Sequence, residues 1–546
     1  MKNRYIIFFC CIFLCVLVQG QTKTDRKKEP RDWHLRSVEK DGFYGAAVYD
    51  AYEYLKDRKP KRRVVVAVID GGIDITHEDL KESVWINEDE IPGNGIDDDK
   101  NGYVDDVHGW NFLGLPGGET VKHMTTEANR YYMALRDRFE NVDTNRLSKK
   151  DRQLYRHYVK VILKKSSLYN AIKSYEDLNI YCRKMDEFGR RLKLMFPDVE
   201  LKKEHFLALG ETLSDTTEKE TYAYFLERWK YAPKNNWVQM LESREKLLAN
   251  SKKQHDGAIR SFETDERKNV GDDLNDIKDR FYGHSVMKSH EHACEVSGLI
   301  GATRDNGIGI DGIADVWLMS LRVGAEDGDQ YDKDVANAIR YAVENGANII
   351  NISLARYVSM HREWVDDALR FAEKKGVLVI HAAGNSMCCT DGFYAYPTRY
   401  MANGKTVKNL LNVGSVYADG TPASTTNFGK DEVDLFAQGG GVYTTSKNNT
   451  YKTITGTSVA APIVSGVAAL IWNYFPELSV KELKQVLLDG VTSRKGVEVT
   501  QPSGIKALGK DKVYFEDLCA TGGIVNALQS VKLAEELCKK NRFISF

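Results

Sequence analysis

Cysteine and proline are both scarce in this chain, at 9 and 11 of 546 residues, and glycine with proline makes up only about a tenth of it. So little cysteine excludes a disulfide-built scaffold, and so little glycine and proline excludes collagen-like and low-complexity chains. An excess of either charge is missing too, with 77 Lys and Arg against 78 Asp and Glu. That balance removes the electrostatic footprint of a nucleic-acid binder, so no nucleic acid is expected as a partner. No repeat of fixed period is visible. What remains, 42% hydrophobic and 28% charged residues, is a soluble globular composition. At roughly 150 residues per domain, the length suits three or four domains or one large α/β core with insertions.

The start reads as a processing segment. Lys2 and Arg4 precede an apolar run from Tyr5 to Val18, and Val18-Gln19-Gly20 offers the small or modest residues a signal peptidase reads. About 14 apolar residues fall short of the roughly 20 a spanning helix needs. The expectation is a signal peptide over residues 1–20, export to the periplasm or medium, and no stable membrane span after cleavage. Cys10, Cys11 and Cys15 leave with it, so Cys182, Cys294, Cys388, Cys389, Cys519 and Cys538 remain. No bridge is assigned, and Cys519 with Cys538 is one open pairing. Only about 40 residues separate the leader from the first strand, too few for a separately folding prodomain, which leaves maturation open.

Residues 64–69, Val-Val-Val-Ala-Val-Ile, form a continuous run that predicts a strand buried on both faces and ending at Asp70. Further strands are predicted over 316–323, 348–354 and 377–383, with helices over 335–344 and 365–373 between them. Strands alternating with ten-residue helices predict an α/β fold, a parallel β-sheet flanked by helices. Between residues 115 and 268 the texture changes to dense Lys, Arg and Glu without strand runs. Leu154, Tyr158, Val161, Ile162, Leu168, Tyr169, Ile172 and Tyr175 recur there at helical spacing. A large α-helical insertion is therefore predicted over 115–268, dividing a core of residues 21–114 and 269–546, with its aromatic stripe a buried helix face.

Three distant segments carry chemistry. Val68-Ile69-Asp70-Gly71-Gly72 ends the first strand, His292-Ala293-Cys294-Glu295-Val296-Ser297-Gly298 lies beyond the insertion, and Gly456-Thr457-Ser458-Val459-Ala460-Ala461-Pro462 opens an apolar helix. A serine hydroxyl is a weak nucleophile until an imidazole takes its proton, and the imidazole needs a carboxylate to fix its tautomer. Asp70, His292 and Ser458 supply those three groups. The segments closely resemble the DxG, HGTHVAG and GTSMAAP motifs of the subtilisin-like serine proteases, the subtilases, in the same Asp, His, Ser order. His284 and His290 compete for the base, but only His292 puts Val296, Ser297 and Gly298 in register with the family's VAG. His381-Ala382-Ala383-Gly384-Asn385 resembles the family's AAAGN, which implies that Asn385, with the Ser458 backbone N–H, stabilises the oxyanion.

The resemblance further implies a peptide-binding edge at Ser353, Leu354 and Ala355, in place of NxSLGG, with Ala383 and Gly384 opposite. Ala355 and Arg356 replace two glycines, so a narrower or charge-selective cleft is expected. Gly71 stands where Ser or Thr is usual, and Ala293, Cys294 and Glu295 replace Gly, Thr and His. Glu295 is expected to raise the imidazole pKa, and Cys294 to pack where Thr usually does. The loop Asp97-Asp98-Asp99-Lys100-Asn101-Gly102-Tyr103-Val104-Asp105-Asp106 opens like an EF-hand, but His108 stands where its Glu belongs. Asp105 or Asp106 would instead close a shorter oxygen cage, as in calcium-binding subtilases. Structural calcium on Asp97, Asp99, Asn101 and Asp105 is the expectation. The function implied is an exported serine endopeptidase acting on protein or peptide substrates without an organic cofactor. A weakened homologue that only binds, and an acyl-transferring enzyme, stand as alternatives, and the oligomeric state is open.

Overall fold

The computed structural model describes residues 29–229, 237–392, 394–502 and 512–544. The leader predicted over residues 1–20 lies outside the described residues. Among the described residues, seven strands form the main body of the central sheet: β1 (Val64–Asp70), β2 (Gly109–Asn111), β3 (Val316–Arg322), β4 (Ile349–Ile352), β5 (Leu378–Ala382), β6 (Leu410–Val416) and β7 (Leu435–Gln438). Across the sheet they run β2-β3-β1-β4-β5-β6-β7, and two short strands, Gly523–Ile524 and Thr492–Ser493, extend the β7 edge. Every pair in the seven is parallel.

Burial on both faces explains the unbroken apolar run of β1. Val64, Val66 and Val68 enter one core, while Ala67 and Ile69 enter the other, the alternation that a strand's two-residue period demands. The first core is covered by the helices Glu291–Gly301, Thr457–Tyr474 and Ala527–Ile544, the second by Asp332–Glu344 and Arg362–Lys374. Strand order reverses around β1, whose sequence-adjacent partners β2 and β3 lie on one side and β4 to β7 on the other. Crevices at the carboxyl ends of strands beside such a switch point are where open α/β sheets bind ligands. Asp70, Ile352 and Ala382 end β1, β4 and β5 there.

The helix Thr457–Tyr474 is the single candidate for a membrane span by length and composition among the described residues, and 89% of it is buried in the core. Residues 29–60 join the same core: Trp33, Leu35, Val48, Ala51 and Leu55 are buried in it, and the Trp33 indole donates to the Gly441 carbonyl at 3.1 Å. A hairpin of β8 (Gly440–Ser446) and β9 (Thr450–Thr455) lies over the Glu291–Gly301 helix.

Among the described residues, six α-helices run between β2 and the Glu291–Gly301 helix, from Glu127–Phe139 to Trp237–Glu263. Tyr158, Val161, Ile162, Leu168 and Ile172 are buried there in one cluster, the helix face that their spacing predicts. None of the six cysteines outside the leader forms a disulfide among the described residues. Cys519 and Cys538 belong to different cores, so the open pairing between them is corrected: no bridge joins them.

Candidate active site

Asp70 is buried where β1 ends, and its backbone carbonyl accepts the N–H groups of Val323 and Gly324 just past β3. Its carboxylate accepts the Gly71 N–H at 2.7 Å, which leaves both oxygens facing His292 Nδ1 at 3.0 and 2.9 Å. A carboxylate acceptor at Nδ1 puts the proton on that nitrogen and leaves the Nε2 lone pair outward. His292 sits in the first turn of the Glu291–Gly301 helix, with 28% of its side chain exposed. Burial opposes the imidazolium, but the Asp70 charge and hydrogen bond, with a smaller push from Glu295, raise the His292 pKa above its ordinary value.

His290 has a different task, one its sequence position did not disclose. Its Nδ1 accepts the His292 N–H at 3.2 Å as the N-cap of the helix, so its ring faces inward and burial lowers its pKa. A Cβ on Gly71 would stand 2.5 Å from the His290 Cβ, which is why glycine replaces Ser or Thr beside Asp70. His284 is bonded to the Glu119 carbonyl instead. The Cys294 thiol accepts the Asp74 N–H at 3.3 Å and is fully buried, and burial pushes its pKa to about 12, so it packs as an inert side chain. Glu295 pairs with Lys452 of β9 at 2.6 Å.

Ser458 lies in the first turn of the Thr457–Tyr474 helix, which packs against the helix carrying His292. Asn385 follows β5 and is held by a residue that sequence reasoning missed: Thr457 donates its N–H and its hydroxyl to Asn385 Oδ1 at 2.9 and 3.1 Å. Its hydroxyl oxygen also accepts the Gly384 N–H at 3.0 Å. With Oδ1 so engaged, Asn385 Nδ2 turns the other way. Gly456 leaves open a point, the place of its missing Cβ, that lies 3.2 Å from Asn385 Nδ2, 3.1 Å from Ser458 Oγ and 3.7 Å from the Ser458 N. A nucleophile and two donors thus surround one space that a side chain would fill. No hydrogen bond joins His292 to Ser458 among the described residues, the looseness common before substrate binds.

The family model described as the Subtilase family matches residues 61–505. The chain belongs to the subtilase family. Subtilisin DY of Bacillus licheniformis is 31% identical over 204 residues, 37% of this chain and 70% of that protein. The major intracellular serine protease of Bacillus subtilis (strain 168) is 35% identical over 208 residues, 37% of this chain and 61% of the relative. The thermophilic serine proteinase of Bacillus sp. (strain AK1) is 33% identical over 189 residues, 34% and 44%. The matched region thus spans from 44% to 70% of these relatives' lengths.

Ser353 of this subtilase does more than line an edge. Pro462 has no N–H, so the Ser458 carbonyl four residues earlier lacks its usual intrahelical partner, and the Ser353 hydroxyl donates to it at 2.9 Å. Asn351 donates to the Ser353 oxygen and accepts from Ser465, which ties β4 to the helix at two levels. Leu354 offers its carbonyl to His381 Nε2 at 3.0 Å, and the Ala383 carbonyl accepts from Asn427. Ala355 stands across from Gly384, its Cβ 3.4 Å from where a Gly384 Cβ would be.

The charge-selective cleft expected from Arg356 is corrected. Its guanidinium is buried away from the crevice, 3.0 Å from Glu127 and 2.8 Å from Asp332. Glu127 begins the first helix of the 127–263 set, so Arg356 pins those helices to the end of β4. Burial pushes the Glu127 carboxyl well up, while Asp332, despite burial, is held low by the Arg356 charge and by bonds from His361 N–H and Ser359. In the acidic loop the carboxylates that lie together differ from the expected set of Asp97, Asp99, Asn101 and Asp105. Oxygens of Glu90, Asp99 and Asp106 lie within 4.8 Å of one another, and the Asn101 amide bridges Asp99 and Asp106 at 3.0 Å each. Asp97 instead accepts the Asn101 and Gly102 N–H groups, and Asp105 those of Asn94 and Gly95.

Replacing Arg356 by Met should leave Asp332 buried and unpaired and destabilise the fold by about 3–5 kcal/mol. Chemical denaturation measures this, and a wild-type midpoint would contradict it.

Proposed function

We propose that this chain is an exported serine endopeptidase that hydrolyses peptide bonds through an acyl-enzyme on Ser458. The observation that carries the reading is the open point between Ser458 Oγ, Asn385 Nδ2 and the Ser458 N–H, together with an imidazole oriented by Asp70 on the helix packed against that of Ser458. Ser458 Oγ attacks the substrate carbonyl carbon while its proton passes to His292 Nε2. The carbonyl oxygen becomes an oxyanion that Asn385 Nδ2 and the Ser458 N–H hold. His292 then gives the proton to the leaving amine, the peptide bond breaks, and Ser458 keeps the acyl group as an ester. Water then attacks the ester carbon as it loses a proton to His292, the bond to Ser458 Oγ breaks, and His292 returns the proton to Ser458 Oγ as the acid leaves. Asp70 holds the ring and stabilises the imidazolium throughout.

The features that favoured a binding-only reading have packing causes: Gly71 makes room for His290, Cys294 is an inert core thiol, and Arg356 faces Glu127 and Asp332. Export rests on the basic and apolar segment of residues 1–20. Calcium completes the proposal, with ligands drawn from the carboxylates of Glu90, Asp99 and Asp106, the last two of which accept from the Asn101 NH2 at the side. Glu90 and Asp106 are buried, and burial raises both carboxyl pKa values, so a divalent cation suits this site. Its contribution would be to clamp the loop that follows β1.

A fluorophosphonate probe should label the wild type and leave Ser458→Ala unlabelled; equal labelling of both would overturn the reading. Asn385→Ala should lower kcat on a fluorogenic peptide by about 10²–10³, equivalent to about 2.7–4 kcal/mol, with folding unchanged. Because the base must be neutral and its pKa is raised, the acidic limb of activity should sit above the ordinary histidine range. Glu295→Gln removes one of the charges that raise it, so the limb should move to lower pH; an unmoved limb contradicts the assignment. A calcium chelator should lower the melting temperature, and an unchanged melting curve would count against the metal.

A further inference from the structure

The helices between Glu127 and Glu263 take no part in the proposed chemistry, yet one of their side chains reaches the crevice beside Asn385. Lys165 ends the Lys149–Lys165 helix, and its Nζ lies 2.5 Å from the Oγ of Ser386, the residue after Asn385. The same ammonium stands over the Tyr357 ring, 3.9 Å from its centre. The Tyr357 hydroxyl accepts from Asn427 at 2.9 Å and lies 2.8 Å from where a Gly384 Cβ would stand, close to the Ala355 Cβ. Lys165, Tyr357, Ala355 and Gly384 therefore cluster at the carboxyl ends of β4 and β5.

The lysine is partly buried there, and burial, outweighing the attraction of Cys388 and Asp329, lowers its pKa. No carboxylate lies within ion-pair distance of it among the described residues; Asp329 accepts the Glu127 N–H instead. Three lysines of these helices do have carboxylate partners: Lys173 with Glu176 and Asp177, Lys184 with Glu187, and Lys252 with Asp256. A hydroxyl and an aromatic face hold the Lys165 ammonium without neutralising it, so its charge remains available to an anion brought from outside. Ser386 follows Asn385 directly, so a substrate residue whose carbonyl oxygen is held by Asn385 Nδ2 would lie near the Lys165 ammonium.

Resting on the peptidase reading, we propose that Lys165 makes this crevice select an acidic side chain, Asp or Glu, on the residue whose carbonyl is attacked. The test compares the full-length protein on fluorogenic peptides that differ only there. Wild type should prefer Glu to Gln by about tenfold or more in kcat/KM, the worth of one charge-assisted contact, and the ratio should fall as salt rises. Lys165→Met keeps the apolar stem on Tyr357 and removes the charge, so the ratio should approach one. Lys165→Glu should turn the preference toward Lys or Arg. A wild type that labels with the fluorophosphonate and cleaves peptides, but favours Gln or is indifferent, overturns this inference alone. An unchanged Glu-to-Gln ratio in Lys165→Met overturns it as well. A wild type that neither labels nor cleaves overturns the peptidase reading and this proposal together.

Discussion

The hydrogen bond from His292 Nδ1 to the Asp70 carboxylate joins two parts of the chain 222 residues apart, and the remaining geometry of the site follows from where it lies. Asp70 ends the central strand at the point where the sheet's order reverses, so three strand ends converge beside it. Its burial makes the bond strong enough to hold an imidazole against the opposing cost of desolvation. His290, packed over Gly71, sets the helix start that brings His292 to that carboxylate.

Ser458 depends on a second constraint. Pro462 frees the Ser458 carbonyl and Ser353 takes it up, so the helix start is tied to the end of β4 by a bond that an ordinary helix would not offer. Thr457 orients Asn385 in the same turn. Strand ends, helix start and amide are thereby held by one another, the mutual support that a preorganised site requires.

Much of this was legible in the sequence for identifiable reasons. β1 and β3 read as strands because burial on both faces demands unbroken apolar runs, and Asp70 breaks the run where the strand stops. The motif residues were legible because their flanks carry geometry: Gly456 leaves space, and Ala460 and Ala461 pack into the core. Arg356 was misread because its partner Glu127 lies 229 residues earlier, beyond any local pattern. The arrangement of the acidic loop was not legible, because choosing between Asp105 and Asp106 depends on backbone conformation. Asp105 has a left-handed φ of 55°, which turns its carboxylate to Asn94 and Gly95 and leaves Asp106 facing Glu90 and Asp99. His290 looked like a rival base, and only the helix start reveals it as a cap.

The central claim is that Asp70, His292, Ser458 and Asn385 act on one carbonyl. A crystal structure of the protein inhibited by a small fluorophosphonate measures this directly. The account predicts phosphorus bonded to Ser458 Oγ, with its phosphoryl oxygen about 2.7–3.1 Å from Asn385 Nδ2 and the Ser458 N, and His292 Nε2 turned to the Ser458 oxygen. A phosphoryl oxygen directed to solvent, with the imidazole rotated away from Ser458, would contradict it.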